Sequence, residues 1–271
     1  MLKLFESHCH LNDPAFVQDL DCVVKRANAA GIAGIMVVGT DLESSLKAVS
    51  ISQSRPGIFA SVGVHPHEAQ SCSEPVMQKL IKLAASPNVR AWGEIGLDFN
   101  RMHSPKADQE TWFIRQLHIA DETALPVIFH ERDSEGRFLE ILKAHYDPER
   151  MNGVIHCFSG TRMELFDYLD LGLHIGITGV VTHQARGAAL RELLPLIPSQ
   201  NLLIETDSPY LTPAPERNRI RRNEPAFVRS VLIKTAEVRG DTPESLAPII
   251  WENSCRLFNI FEFPESGIGI G

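Results

Sequence analysis

Cysteine is scarce in this sequence of 271 residues, and the few cysteines form no recognisable pattern. Their number is odd, and no two of them are spaced as a C-x-x-C pair. The pattern therefore argues against a disulfide-stabilised scaffold and against a zinc ribbon. We expect reduced thiols, as in a cytoplasmic protein, at Cys9, Cys22, Cys72, Cys157 and Cys255.

Long hydrophobic runs are also missing. No stretch approaches the roughly 18 consecutive apolar residues that a membrane-spanning helix needs, so no spanning segment is predicted. The first residues show no charged leader followed by an apolar run, which argues against a secretory signal. These absences agree with the cysteine pattern, and we predict a cytoplasmic protein that does not associate with membranes.

An excess of positive charge is absent as well, because 26 Lys and Arg stand against 34 Asp and Glu, for a net charge of -8. The surface as a whole therefore cannot act as a nucleic-acid-binding face. A polyanion must be engaged locally, through a basic loop or through metal ions.

Nothing in the chain marks a boundary between two domains. No linker, low-complexity tract or internal repeat occurs, and the most loop-like segment, Pro213–Arg222, is too short to separate two domains. We therefore predict a single domain over residues 1–271. This length suits one α/β barrel of about 250 residues.

Short, β-branched-rich apolar runs alternate with longer amphipathic stretches throughout the sequence. Strands are predicted at Leu4–His8, Gly34–Val38, Ile58–Val64, Val89–Ile95, Val127–His130, Gly153–Cys157, His174–Gly179 and Leu202–Thr206. Helices are predicted at Val17–Ala30, Ser44–Ser54, Pro75–Ala85, Lys106–Ala124, Glu135–His145, Arg162–Leu171, Arg186–Leu196, Pro225–Arg239 and Leu246–Phe258. Strict alternation indicates a parallel sheet with right-handed crossovers. Because the first strand ends in His-Cys-His and lacks the glycine-rich fingerprint of open sheets, we predict a (β/α)8 TIM barrel.

Histidines are concentrated at the ends of the predicted strands. In such a barrel the carboxyl ends of the strands meet at the face that carries the chemistry. A buried ring of imidazoles and carboxylates is costly unless each group is paired or bound to metal, so we predict a metal site there. The alternative is a set of hydrogen-bonded core residues, and for His67 a capping or surface role. The strand-end histidines are His8, His10, His65, His67, His130 and His156, accompanied by Glu94, Glu205 and Asp207.

The same segments give the chain a resemblance to the TatD family of metal-dependent deoxyribonucleases, within the amidohydrolase-like metal-dependent hydrolases. The resemblance extends in order from residue 7 to residue 258. Its segments are SHCHL (7–11), GVHPH (63–67), GEIGLDFNR (93–101), PVIFHERD (126–133), IHCFSG (155–160), IGITG (175–179), LLIETDSPYLTP (202–213), RRNEP (221–225) and ENSCRLF (252–258).

The resemblance implies a site for two divalent metal ions, in which Glu94 corresponds to the carboxylate that bridges them. Glu205 and His65 correspond to further active-site positions. Glu6 stands where the family pattern more often has aspartate, and its longer side chain leaves it outside the ligand set. The implied metal ligands are His8, His10, Glu94, His130, His156 and Asp207.

Two divalent ions held in this way are suited to phosphodiester hydrolysis. Mg, Mn and Zn are all candidates, and the sequence does not choose among them. We predict Asp207 as both a metal ligand and the acceptor of a proton from water. Glu205 is predicted to orient ligands, and His65 to hydrogen-bond the scissile phosphate or to protonate the leaving oxygen.

Arginines near these motifs are candidates for phosphate binding. Arg132 lies two residues beyond His130 and is expected to hold a phosphate oxygen in a forked geometry. The loop after the eighth strand carries four arginines in six residues, and of these Arg221 and Arg222 are predicted to contact substrate. A solvated charge run is the alternative for that loop. Candidates for stacking on terminal bases are Phe99, Phe158 and Tyr210.

The family resemblance implies a 3'→5' exonuclease that acts on single-stranded DNA ends, with RNA as a further substrate and no obligate protein partner. Two alternatives remain open at this point. The same site can hydrolyse small esters, amides or lactones, or an aminoacyl ester on tRNA. The barrel can also be a binding protein without catalytic activity.

Overall fold

A computed structural model describes residues 2–214 and 216–263 of the chain. Eight parallel strands form one sheet in which each strand pairs with the next one along the sequence. This arrangement confirms the predicted TIM barrel, and all eight predicted strands are present. They are β1 Leu4–Cys9, β2 Ile32–Val37, β3 Ile58–Val62, β4 Val89–Asp98, β5 Val127–Arg132, β6 Gly153–Ile155, β7 His174–Ile177 and β8 Leu202–Ile204.

The seam between β8 and β1 is closed by a side chain as well as by the backbone. The backbone N–H of Asp207 donates to the carbonyl oxygen of His8 over 3.0 Å. The fully buried Glu6 accepts through Oε1 from the N–H of His8 at 3.1 Å and from the N–H of Thr206 at 2.9 Å. Glu6 therefore takes the place of strand-to-strand hydrogen bonds, which agrees with its exclusion from the predicted ligand set.

All nine predicted helices are present, with shifted ends where proline is involved. Short 3-10 helices, Pro14–Phe16 and Pro225–Phe227, precede the first and eighth α-helices, because proline fits a first turn but has no N–H to continue a helix. The helices are α1 Leu20–Ala29, α2 Leu42–Ser54, α3 Glu74–Ala84, α4 Lys106–Thr123, α5 Arg137–His145, α6 Arg162–Asp170, α7 Ala188–Leu193, α8 Val228–Arg239 and α9 Pro243–Leu257.

The barrel interior is apolar at the amino-terminal ends of the strands. Phe5 stacks on Phe59 with 6.2 Å between ring centroids, and Phe258, which follows α9, stacks on Phe5 at 5.8 Å. Met36, Ile128 and other buried side chains complete this layer. Because these rings fill the amino-terminal end, polar side chains inside the barrel are confined to the carboxyl-terminal end.

Among the helices of the described residues, none combines the length and the apolar character needed to cross a membrane.

Candidate active site

A cavity of about 1000 Å³ opens at the carboxyl-terminal ends of the strands. It is lined by most of the residues that the sequence singled out. His8 and Glu205 are fully buried behind this lining. The predicted site residues that line the cavity are His10, His65, Glu94, His130, His156, Asp207 and Arg132.

Glu94 lies at the centre of the imidazoles. Its side chain is only 4% exposed, so the carboxylate has lost nearly all of its hydration. Burial by itself raises the pKa of Glu94, but the surrounding imidazoles outweigh burial and hold the pKa well below its ordinary value. The distances to its two oxygens are 2.7 Å from Nδ1 of His130, 3.3 Å from Nε2 of His8, 3.5 Å from Nε2 of His65 and 4.0 Å from Nε2 of His156.

Asp207 is a second carboxylate within the same cluster. Its Oδ1 lies 3.3 Å from Nε2 of His10 and 3.8 Å from Nε2 of both His8 and His156. Burial alone raises the pKa of Asp207, but the hydrogen bond from His10 and the nearby imidazoles bring the pKa below its ordinary value. Both carboxylates are therefore charged at neutral pH, inside a barrel that excludes most water.

Three groups of side chains in the described residues have ligand atoms close enough together to hold a metal ion. Two of these groups meet where His8 approaches Glu94. Nε2 of His8 and Nε2 of His10 are 3.3 Å apart, so two ring nitrogens converge on one point beside two carboxylates. This combination of imidazole nitrogen and carboxylate oxygen fits a divalent transition metal or zinc. The groups are His8, His10 and Asp207; His65, Glu94 and His130; and His8, His156 and Glu205.

The protonation state of His65 follows from its burial and its hydrogen bonds. Burial, together with the neighbouring His130, lowers the pKa of His65 to about 4, so its ring is neutral at neutral pH. Nδ1 of His65 accepts a hydrogen bond of 3.0 Å from the backbone N–H of His67. The ring proton of the neutral form is therefore on Nε2, the nitrogen that faces Glu94 and His130.

Asp98 contacts two imidazoles as well as the loop that follows it. Its Oδ1 accepts hydrogen bonds from the backbone N–H groups of Asn100 and Arg101. Its Oδ2, however, lies 2.8 Å from Nε2 of His67 and 3.3 Å from Nε2 of His130. A carboxylate behind a metal-binding imidazole fixes the orientation of the ring. Asp98 follows Glu94 by four residues on β4, and this spacing is the only sign of its role in the sequence.

Glu205 lies behind His156 and does not line the cavity. Its Oε1 is 2.7 Å from Nδ1 of His156 and accepts a hydrogen bond of 2.7 Å from the backbone N–H of Cys157. Its Oε2 accepts a hydrogen bond of 3.2 Å from the hydroxyl of Ser7. A Cβ at Gly176 on β7 would come within 2.8 Å of both carboxylate oxygens of Glu205, so β7 needs glycine at this position. The contacts favour an orienting role for Glu205 over proton transfer.

A close approach of β4 to β5 brings Glu94 to His130. Gly96 has a φ of +146°, and a Cβ there would collide with the carbonyl oxygen of His130. Only glycine allows this conformation at this separation of the strands. The two glycines of the GEIG segment are thus part of the site geometry.

Three arginines line the cavity: Arg101 after β4, Arg132 at the end of β5 and Arg186 after β7. Among the described residues, none of the three guanidinium groups has a carboxylate within ion-pair distance. Charged donors without partners beside a cavity are available to bind an anion.

The chain matches the model of the family described as TatD related DNase over residues 5–259. It belongs to the TatD related DNase family. A protein named 3'-5' ssDNA/RNA exonuclease TatD from Citrobacter rodentium is 44% identical over 95% of this chain and 98% of the relative. A protein of the same name from Erwinia billingiae is 45% identical, over 95% of this chain and 99% of that relative.

Solved structures agree with this family assignment. The crystal structure of YJJV, a TatD homologue from Escherichia coli, superposes with a TM-score of 0.86 at 28% identity, covering 95% of this chain and 98% of that one. A TatD family hydrolase from Entamoeba histolytica has a TM-score of 0.84 at 23% identity, over 96% of this chain and 100% of that one, a likeness of fold. These likenesses of fold also confirm the barrel that was predicted from the alternation of strands and helices.

The loop after β8 carries Arg221 and Arg222, which were predicted to contact substrate. Neither Arg221 nor Arg222 is among the residues that line the cavity of this TatD-family barrel. Arg222 donates to both carboxylate oxygens of Asp19, at 2.8 and 2.7 Å, and its second amino group also reaches Glu224 at 3.0 Å. Its guanidinium packs over the ring of Phe16 at 4.9 Å from the centroid. Arg222 thus forms a tether between the loops after β1 and β8, and its contact with substrate stays a prediction.

Replacement of Arg222 by alanine should destabilise the fold, because the paired carboxylate and the ring of Phe16 lose their partner. We expect a loss of about 1–2 kcal/mol in the free energy of unfolding, since a partly buried bidentate pair is worth more than an exposed one. Arg221→Ala is the matched control, because Arg221 is the exposed neighbour outside the cavity. Urea denaturation of both variants measures the difference. Equal stability of the two would contradict the tether.

Proposed function

We propose that this protein is a divalent-metal-dependent nuclease that removes nucleotides from the 3' end of single-stranded DNA, with RNA as a further substrate. The observation that carries the proposal is the buried Glu94 carboxylate, surrounded by imidazoles at the mouth of a TatD-family barrel. Relatives named as 3'-5' ssDNA/RNA exonucleases, at about 44% identity, support the substrate and the polarity.

The proposed metal ligands are the residues whose donor atoms converge in the cluster. His8, His10 and Asp207 form one group. Glu94 and His130 belong to a second group, and we place His156 with these ligands because its Nε2 faces both carboxylates. Such nitrogen-rich ligation favours Zn or Mn over Mg in affinity. When bound, two divalent ions lower the pKa of water and neutralise the charge that develops on phosphate oxygens.

Asp207 is the proposed acceptor of a proton from the attacking water. Its Oδ1 faces the imidazoles of His8, His10 and His156, which leaves Oδ2 to accept the proton. Glu205 holds His156 from behind and keeps the ring in place during this transfer.

His65 is proposed to donate a hydrogen bond from Nε2 to the scissile phosphate. Because the pKa of His65 is lowered to about 4, the neutral ring at pH 7 has no second proton to give to the leaving oxygen. Of the two roles considered for His65 from the sequence, hydrogen bonding to phosphate is therefore the one that we retain.

The shape and charge of the cavity suit a strand end. A flexible single strand can enter a barrel mouth without the unpairing that a duplex requires. Arg132, at the end of β5 beside the cluster, is proposed to hold a non-bridging oxygen of the scissile phosphate. Arg101 and Arg186 are proposed to bind phosphates upstream of it.

The purified protein with Mn²⁺ should shorten 5'-labelled single-stranded DNA progressively from its 3' end and leave carboxylic esters and lactones intact. Asp207→Asn keeps the shape of the side chain but removes the basic oxygen, so turnover should fall about a hundredfold or more. Circular dichroism should be unchanged. Asp133→Asn, which alters another cavity carboxylate in the same way, is the control and should retain at least half the activity. If Asp207→Asn also keeps half, Asp207 is not the proton acceptor.

Replacement of Arg186 by glutamine should raise KM for oligonucleotides about tenfold with little change in kcat, because a charged hydrogen bond to phosphate is lost. The slope of the logarithm of the binding constant against the logarithm of the salt concentration should become less steep, by up to about the amount that one phosphate contact contributes. Hydrolysis of bis(p-nitrophenyl) phosphate should be unaffected, since this substrate has no upstream phosphate. Arg221→Gln removes the same charge outside the cavity and controls for long-range attraction. A similar rise in KM for Arg221→Gln would contradict a local contact by Arg186.

A further inference from the structure

One aromatic side chain stands exposed beside the cluster of imidazoles. Tyr210 lines the cavity and is 54% exposed, so much of its side chain is accessible to a ligand in the cavity. Its ring centroid is 6.0 Å from that of His10, one of the proposed metal ligands. Tyr210 is therefore close enough to the proposed metal ligands for one nucleotide to contact both.

Tyr210 is held firmly even though its ring is exposed. Its hydroxyl donates to Oδ2 of Asp13 over 3.0 Å, and its backbone N–H donates to the carbonyl of Asp207 over 2.9 Å. Its own carbonyl oxygen accepts from the amide of Asn223 at 2.6 Å. The ring is thus fixed at both ends before any ligand arrives, which lowers the entropy cost of stacking on it.

The cavity wall is divided by charge. One part of the wall is formed by the loops after β8, β1, β2 and β3. It carries one lysine, Lys47, and four carboxylates, those of Asp13, Asp41, Glu43 and Glu68. The nitrogen of that lysine pairs with Glu43 at 2.7 Å. We call this part of the wall the acidic sector.

The opposite part of the wall, formed by the loops after β4 to β7, carries the three unpaired arginines. Three carboxylates, those of Asp98, Glu131 and Asp133, also lie there, and the three arginines offset their charge. We call this part the basic sector. The acidic sector keeps four carboxylates against one lysine. A chain of phosphates therefore finds guanidinium donors in the basic sector and is repelled from the acidic one.

We propose that Tyr210 is the platform on which the nucleobase of the 3'-terminal nucleotide stacks, with the rest of the strand leaving over the basic sector. This inference rests on the proposed nuclease function. The terminal nucleoside has no phosphate beyond its own, so it is the only part of a strand that fits beside the acidic sector without repulsion. The division of charge also gives a physical reason for cleavage at ends: a strand that continued past Tyr210 would bring its next phosphate towards Asp13 and Asp41.

The test compares oligonucleotides that differ only in one base. A single-stranded DNA with an ordinary 3'-terminal thymidine is compared with the same strand ending in an abasic tetrahydrofuran nucleotide. For the wild type, loss of the terminal base should lower kcat/KM about tenfold, since one base stacked on an aromatic ring contributes at about that level. Moving the abasic position three nucleotides upstream should have little effect. A 3'-phosphorylated end should be cleaved more slowly than a 3'-hydroxyl end.

Two variants separate the ring from its hydroxyl. Tyr210→Ala should lose about tenfold in kcat/KM on the ordinary strand and little on the abasic one, so that the effect of the base disappears. Tyr210→Phe keeps the ring and loses only the bond to Asp13, so it should retain most of the wild-type preference. Calorimetry gives a readout independent of turnover: the wild type should bind thymidine 5'-monophosphate more tightly than 2-deoxyribose 5-phosphate, and Tyr210→Ala should bind the two alike.

The proposal is overturned if Tyr210→Ala loses equally on both strands, or if Tyr210→Phe is as impaired as Tyr210→Ala. Either result would assign to Tyr210 a role in supporting the loop. Failure of the proposed nuclease function gives a different result. The wild type would then release no nucleotide from the ordinary 3' end, and both proposals would be overturned.

Discussion

The structure of this barrel depends on the burial of a charged carboxylate, that of Glu94. An ionised group that is 4% exposed is tolerated only where compensating partners surround it, and here four imidazoles, each on a different strand or in the loop just after it, supply them. Those imidazoles in turn converge because parallel strands in a closed barrel bring their carboxyl ends together. The apolar rings of Phe5, Phe59 and Phe258 close the other end of the interior, so the polar groups have one place to assemble.

Two further carboxylates hold the cluster in position through its imidazoles. Glu205 supports His156, and Asp98 supports His130 and His67. Both act through a carboxylate behind an imidazole, so the orientation of each ring is set by the fold before a ligand binds. Asp98 also caps the turn that leads to Arg101, and it thereby joins the centre to the basic side of the cavity. The fold and the site are thus stabilised by the same contacts.

Sequence reasoning recovered what is periodic or clustered along the chain. Alternating apolar runs predicted the strands, and strand-end histidines such as His8 and His130 predicted the cluster, because both signals are local. The role of Arg222 was not recoverable in this way, since its partner Asp19 is 203 residues away and only the closed barrel brings them together. Four arginines in six residues resemble a phosphate-binding loop. No local feature of the sequence shows whether one of these arginines binds a carboxylate of the protein or a phosphate of the substrate. Arg101 and Arg186 were missed for the opposite reason, because each is isolated in sequence and they meet only at the cavity.

We propose that the Glu94 carboxylate would hold two divalent metal ions in this cavity. Anomalous diffraction from crystals grown with Mn²⁺ tests it most directly, because the positions of the ions are observed without reference to activity. We predict two peaks on either side of the Glu94 carboxylate, one beside His8, His10 and Asp207 and the other beside His130. Peaks confined to the protein surface, or no peak near the imidazoles at saturating Mn²⁺, would show that this cluster is not a metal site.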